Sequence, residues 1–217
     1  YDVLFKLFLF FAYFGNAPIA DDPEHHQANI TGIATLQPVD ETIELFKNIY
    51  PDVKNIGIVW NTAEACSEAC TEMIRKSVKS RDIKLTEITV TNTSQVMMAV
   101  QGLVSKGIDA IIVSGDNTVL TGMDTVIAVA TENNIPVITN TPPDAEIGAL
   151  FGLGADYYTV GVETGRLAVR VMKGEKTSEI PIQRLVPEKL WINKGVAKKL
   201  NIKLSEKVLN RADKIFE

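Results

Sequence analysis

The 217 residues are 46% hydrophobic, enough for a packed core and too many for a disordered chain. At this length the chain makes one large domain or one and a half ordinary ones. A net charge of −5 with scattered lysines and arginines excludes the basic face that a nucleic-acid partner needs.

Residues 3–14, from Val3 to Phe14, are almost wholly apolar and too short to span a bilayer, which takes about 20 residues. Two readings stand. The stretch is either the apolar region of a signal peptide cleaved near Ala17 or Ala20, or a buried strand or helix of a domain. Residues 15–31 read as a polar connection and Gly32–Thr35 as a short strand. Val39–Tyr50 is predicted as an amphipathic helix, with Ile43, Leu45, Phe46 and Ile49 apolar and Pro51 ending it.

Residues 55–147 then repeat one pattern four times: a short apolar strand, a polar turn, a helix. The strands are Asn55–Trp60, Ile83–Val90, Asp109–Val113 and Ile135–Ile138. Helices are predicted over 66–78, 94–105 with Ser94 as its cap, and 118–132. Such alternation implies an α/β fold with a parallel sheet and helices on both faces. Every turn that follows a strand then lies on one edge, where small ligands bind. Ala149–Leu153 reads as a fifth strand, and Asp156 opens a helix that runs to Met172 and closes at Lys173-Gly174. Strands at 181–186 and 189–192 and helices at 194–200 and 205–215 complete the chain. The expected organisation is an N-terminal apolar segment and connection over 1–31, a ligand-binding α/β lobe over 32–153, and 154–217 completing the lobes.

The strand-end turns supply the candidate site. Asp116 and Asn117 begin a helix whose free N–H groups suit an anion, while the Asp116 carboxylate suits an ammonium group. A zwitterion needs both. The plainer reading makes Asp116 or Asn117 a helix cap. Asn61, Glu64 and Ser67 surround the preceding helix start, and Asn140 with Thr141 extends the same edge. Asp156 with Tyr157 and Tyr158 offers rings for stacking, or simply for packing. Cys66 and Cys70, four apart, are open to a strained disulfide, a pair of metal ligands or two plain thiols. No third or fourth ligand has suitable spacing, so no metal is expected. A phosphate-binding glycine loop, a G-x-S-x-G elbow and a general base at the strand ends are all missing from the sequence. We therefore expect binding without catalysis and without a cofactor.

Several segments together resemble the ABC-transporter substrate-binding family, aromatic-amino-acid type, which has the type I periplasmic-binding-protein fold. They are Asn29-Ile-Thr-Gly-Ile33, Gly57-Ile-Val-Trp-Asn61 with Glu64-Ala-Cys-Ser67, Asp116-Asn-Thr118, and Asp156-Tyr-Tyr-Thr-Val-Gly161 followed by Thr164-Gly165. The resemblance implies a two-lobed receptor, periplasmic or membrane-anchored outside the cell. It would close on a small amino-acid-like ligand and deliver it to an ABC permease. Ligand contacts carry over to Ser67, Asp116, Asn117 and Asp156. This chain departs from the family at Cys66, where Asn is usual, and at Asn140-Thr-Pro-Pro143, where Asp and Ser are usual. The family also has most of an N-terminal lobe ahead of the equivalent of Asn29. The competing readings are a sensor domain of the same fold and an α/β enzyme using Asp116 as a base.

Overall fold

The computed structural model describes residues 26–35, 37–183 and 188–217, and the backbone of 7–9. The chain divides into two compact units, one formed by 37–154 and 189–217, the other by 1–36 and 155–188.

The larger unit is built on a seven-stranded sheet. In chain order its elements begin with α1 (Val39–Ile49), β3 (Asn55–Asn61), α2 (Ala65–Lys79), β4 (Lys84–Val90) and α3 (Val96–Ser105). Next come β5 (Ala110–Val113), α4 (Asn117–Thr121), α5 (Met123–Glu132), β6 (Val137–Thr139), α6 (Asp144–Ile147) and β7 (Phe151–Ala155). After the excursion into the other unit follow β8 (Glu188–Asn193), α8 (Lys194–Lys199), α9 (Glu206–Arg211) and β9 (Lys214–Phe216). The strand order is β4-β3-β5-β6-β7-β8-β9. Pairing is parallel from β4 through β3, β5 and β6 to β7, and again between β8 and β9.

Strand side chains alternate between two buried faces, as a parallel sheet requires. Ile56, Ile58, Trp60, Ala110, Ile112 and Ile138 pack with Phe46 of α1 and Ile74 of α2. Val59, Ile111, Val113 and Val137 turn the other way, onto Val100 and Leu103 of α3 and Val126 of α5. Ile112 and Ile138 on one face and Ile111 and Val137 on the other are at most 2% exposed, so the sheet is covered on both sides. This is the α/β arrangement, a parallel sheet with helices on both faces, that the sequence predicts.

In the smaller unit, β1 (Leu7–Leu9) pairs in parallel with β2 (Ile30–Gly32), and Ile33 forms a parallel bridge with Gln183. The helix α7 (Tyr157–Met172) buries Val160, Leu167 and Val171 against Ile33, Ala155 and Ile180. Its carboxyl end turns at Gly174, where φ is +103°. Short polar ties bind this unit: the Thr31 hydroxyl donates to the Ile180 carbonyl at 3.0 Å, and a ring nitrogen of His26 reaches the same carbonyl at 3.0 Å.

Some elements differ from the sequence reading. The signal-peptide and polar-connection expectations lie mostly outside the described residues, since only Leu7–Leu9 and 26–35 are described there. Of the strand expected over 181–186, residues 184–186 also lie outside them. The first short strand sits two residues earlier than expected, at Ile30–Gly32. Ser94 is not a cap. It lies within a 3-10 turn, Thr93–Gln95, and donates to Asn92 Oδ1, while Gln95 Oε1 reaches back to the Thr91 N–H. The helix expected over 118–132 breaks at Gly122 because the Thr93 hydroxyl takes the Thr118 carbonyl, and Gly122 N–H turns to Val119 instead. The last helix stops at Arg211, and Lys214–Phe216 is a seventh strand of the sheet.

Candidate functional site

The chain winds from β3 outward to β4, then crosses back to β5 on the other side of β3. Strand order thus reverses between β3 and β5, and the crevice outside their carboxyl ends is where α/β sheets hold ligands. Asn61 ends β3, and Gly115 and Asp116 follow β5.

Asp116 is 1% exposed and fully engaged. Its Oδ1 caps α4 by accepting from the Val119 N–H at 2.8 Å. Its Oδ2 accepts from the Asn61 N–H and the Ser67 hydroxyl, both at 2.6 Å. Asn61 and Ser67 are themselves buried, and Asn61 Nδ2 also donates to Thr118 Oγ1 at 2.9 Å. Asn61, Ser67 and Asp116 therefore do meet, through one carboxylate whose donors all belong to the protein.

The start of α4 is filled as well. Glu64 lays its carboxylate across it, accepting from the N–H groups of Asn117 and Thr118 and from both their side chains. Burial works to raise the Glu64 pKa, but the bonds from the Thr118 hydroxyl and the two backbone N–H groups prevail and hold it below its ordinary value. The anion seat suggested for a ligand at Asn117 is occupied by this side chain.

One strand further along, the β6–α6 loop differs. Asn140 is 1% exposed; its Nδ2 donates to Thr42 Oγ1 and to the Leu153 carbonyl, each at 2.8 Å. Its Oδ1 has no partner among the described residues, and neither does Oδ2 of the buried Asp144. Burial pushes the Asp144 carboxyl up to about 6, only partly offset by the Thr139 hydroxyl. Native folds rarely leave buried polar atoms unpartnered. Asp144 was missed in the sequence. The signal available was an acidic residue directly after Pro142-Pro143, where proline stiffens the entry to a helix.

In the smaller unit, Asp156 caps α7 through the N–H groups of Tyr158 and Thr159 and accepts from the Thr159 hydroxyl at 2.7 Å. Tyr157 and Tyr158 are exposed. Cys66 and Cys70 are free thiols, Cys66 half-buried and Cys70 buried. Among the described residues no three His, Cys, Asp or Glu side chains group in a way that would hold a metal. A groove of about 990 Å³ lies between α1 and α9, lined by Glu41, Glu44, Asn48, Ser205 and Arg211, none of which belongs to the strand-end turns.

The family model described as "ABC transporter substrate binding protein" matches residues 15–216. The chain belongs to the ABC transporter substrate-binding protein family. Members of this family are solute-binding proteins, not enzymes. A tyrosine-binding protein of Clostridioides difficile is 32% identical over 80% of this chain and 50% of its own length. Among solved structures, a conserved domain protein of Vibrio cholerae is 35% identical with a TM-score of 0.82, covering 86% of this chain and 63% of its own. An ABC domain from Streptococcus pneumoniae in complex with L-Trp is 28% identical with a TM-score of 0.85, covering 91% and 67%. The chain spans about half the length of the curated relatives it matches. LacI-type regulators share its fold at 13–14% identity. Among the described residues no helix is long and apolar enough to cross a membrane.

Proposed function

We propose that this chain is the solute-binding component of an ABC importer, acting outside the cytoplasm and passing a small amino-acid-like ligand to a permease. The observation that carries the reading is the pair of buried, unpartnered acceptors after β6, Asn140 Oδ1 on the β6–α6 loop and Asp144 Oδ2 at the first residue of α6. Two acceptors, one of them a carboxylate, suit an ammonium group, which has donors and no acceptor. The relative named for tyrosine and the one solved in complex with L-Trp make an amino acid with a ring the first candidate. Asn61, Ser67 and Asp116 hold the neighbouring loop in place and leave the ligand to Asn140 and Asp144. Asn117 serves Glu64, while Asp156 and Tyr157 belong to the other unit and carry no part of this reading. Ligand binding would favour whichever conformation it binds more tightly.

Mass spectrometry of small molecules released from the unfolded protein, followed by calorimetric titration with free amino acids, tests the proposal. We expect an α-amino acid to be released and to rebind. Release of a solute without an amino group, together with flat titrations for all amino acids, would refute it.

A further inference from the structure

We propose that Cys66 and Cys70 form a reversible intramolecular disulfide whose closure opens the first turn of α2 and loosens the loop between β5 and α4. Both sulfurs converge on Gly115: a Cβ there would stand 2.5 Å from Cys70 Sγ and 3.0 Å from Cys66 Sγ. The two sulfurs are thus neighbours. Gly115 has φ +61°, so the loop carrying Asp116 is shaped around this sulfur pair.

The two thiols differ in their access to solvent. Cys66 is half-buried and within reach of solvent, whereas Cys70 is 2% exposed. The neighbouring Cys70 thiol lowers the Cys66 pKa, though burial and the carboxylates of Glu64 and Asp116 oppose it. Cys66 is therefore the sulfur that meets an external oxidant of the organic disulfide class, R–S–S–R. Its thiolate attacks one sulfur of the oxidant, forming a mixed disulfide and releasing one RS⁻, which takes up the Cys66 proton. Cys70 then attacks Cys66 Sγ, its proton leaving with the second RS⁻. Two protein thiols are oxidised to one disulfide and one R–S–S–R is reduced to two R–SH.

Closure has a structural consequence. Cβ atoms four apart on a helix stand about 5–6 Å from each other. A disulfide holds them roughly 3.5–4.5 Å apart. The helix must therefore give way at its start, where the cap residue Glu64 makes no side-chain capping bond. Glu64 grips Asn117 and Thr118, and Ser67, next to Cys66, donates to Asp116. Drawing Cys66 toward Cys70 displaces both grips.

The test incubates the full chain with excess glutathione disulfide and reads intact mass, peptide mapping and hydrogen exchange. We expect loss of two hydrogens, a link between Cys66 and Cys70, and reversal by dithiothreitol. Amides of Asn117 and Thr118 should exchange faster on the order of tenfold, reflecting the lost local protection. Cys66→Ser alters a half-buried side chain, so the protein should fold and show no response to the oxidant. Thiols that stay free, or a glutathione adduct that remains on Cys66, would overturn the disulfide. Unmoved exchange at Asn117 and Thr118 in the linked protein, or faster exchange in oxidant-treated Cys66→Ser, would overturn the coupling.

Discussion

Glu64 closes the start of α4 onto itself: its Oε1 accepts from the Thr118 N–H at 3.0 Å and from the Thr118 hydroxyl at 2.5 Å. With Oε2 on the Asn117 N–H at 2.9 Å, the free donors of that short helix are used up. The edge where strand order reverses is thus sealed by two carboxylates of the protein, Glu64 and Asp116. Among the described residues, buried polar atoms left unpartnered include Ser114 Oγ at this same edge and, one strand away beside β6, Asn140 Oδ1 and Asp144 Oδ2.

The charge of Glu64 should therefore support the fold. Its folded pKa lies below the ordinary value, so its contribution is present above the unfolded carboxyl range, near pH 4.3. It is lost as pH falls through the folded pKa. Glu64→Gln should cost about 1–2 kcal/mol at pH 7, the worth of hydrogen bonds to a charged group at a helix start. Urea titrations at pH 7 and pH 3.5 check this, and an equal loss at both would show that the charge does not matter.

Asp116→Ala should behave as a core lesion. It strips acceptors from the Asn61 N–H, the Ser67 hydroxyl and the Val119 N–H, all buried. Orphaned buried donors cost about 1–3 kcal/mol each when unrelieved, so a loss of about 3 kcal/mol or more is expected. Affinity per folded molecule should stay within a few-fold. A variant of normal stability that no longer binds would return Asp116 to the ligand.

Part of this arrangement is legible in the sequence. The repeat of apolar strand and polar turn is a local pattern with period, and it placed β3 through β7 and both faces of the sheet. The convergence of Asn61, Ser67 and Asp116 also followed from topology alone, because strand-end turns share an edge. What the sequence could not reveal was which partner each polar atom would choose. Glu64 and Thr118 are 54 residues apart, and only packing shows that they satisfy one another. Asp144 stayed hidden for the same reason: burial, not residue type, sets it apart. The helix pattern of 205–215 overruns into Lys214 and Ile215 because the pairing of Lys214–Phe216 with β8 is a tertiary contact that no local period encodes.

Gly154→Ala should disturb the Asn140 loop directly. A Cβ on Gly154 would sit 1.9 Å from the Asn140 carbonyl oxygen, a backbone atom that cannot swing aside. Overpacking of this kind costs about 1–3 kcal/mol, with the upper end expected here. Thermal unfolding of the variant measures it, and wild-type stability would mean that the loop yields freely.

Asp144 joins stability, pH and binding in one residue. Burial raises its folded pKa to about 6, so the folded state holds the proton more tightly than the unfolded chain does. The stability this confers is complete below the unfolded value near pH 3.9 and is lost as pH rises through about 6. Above that, the unpartnered charge costs up to about 3 kcal/mol, because each pH unit between the unfolded and folded values is worth about 1.4 kcal/mol. Asp144→Asn should therefore raise stability at pH 7.5 by about 1–3 kcal/mol and leave it unchanged near pH 3.5. Binding should respond in the opposite sense, because an ammonium group needs the ionised carboxylate. Wild-type affinity should weaken as pH drops below about 6, by at most about tenfold per pH unit. In Asp144→Asn it should be weak and insensitive to pH. Paired urea and calorimetric titrations across pH 4–8 separate the two effects. A variant that gains stability yet binds as tightly as wild type, with the same pH profile, would show that Asp144 does not face the ligand.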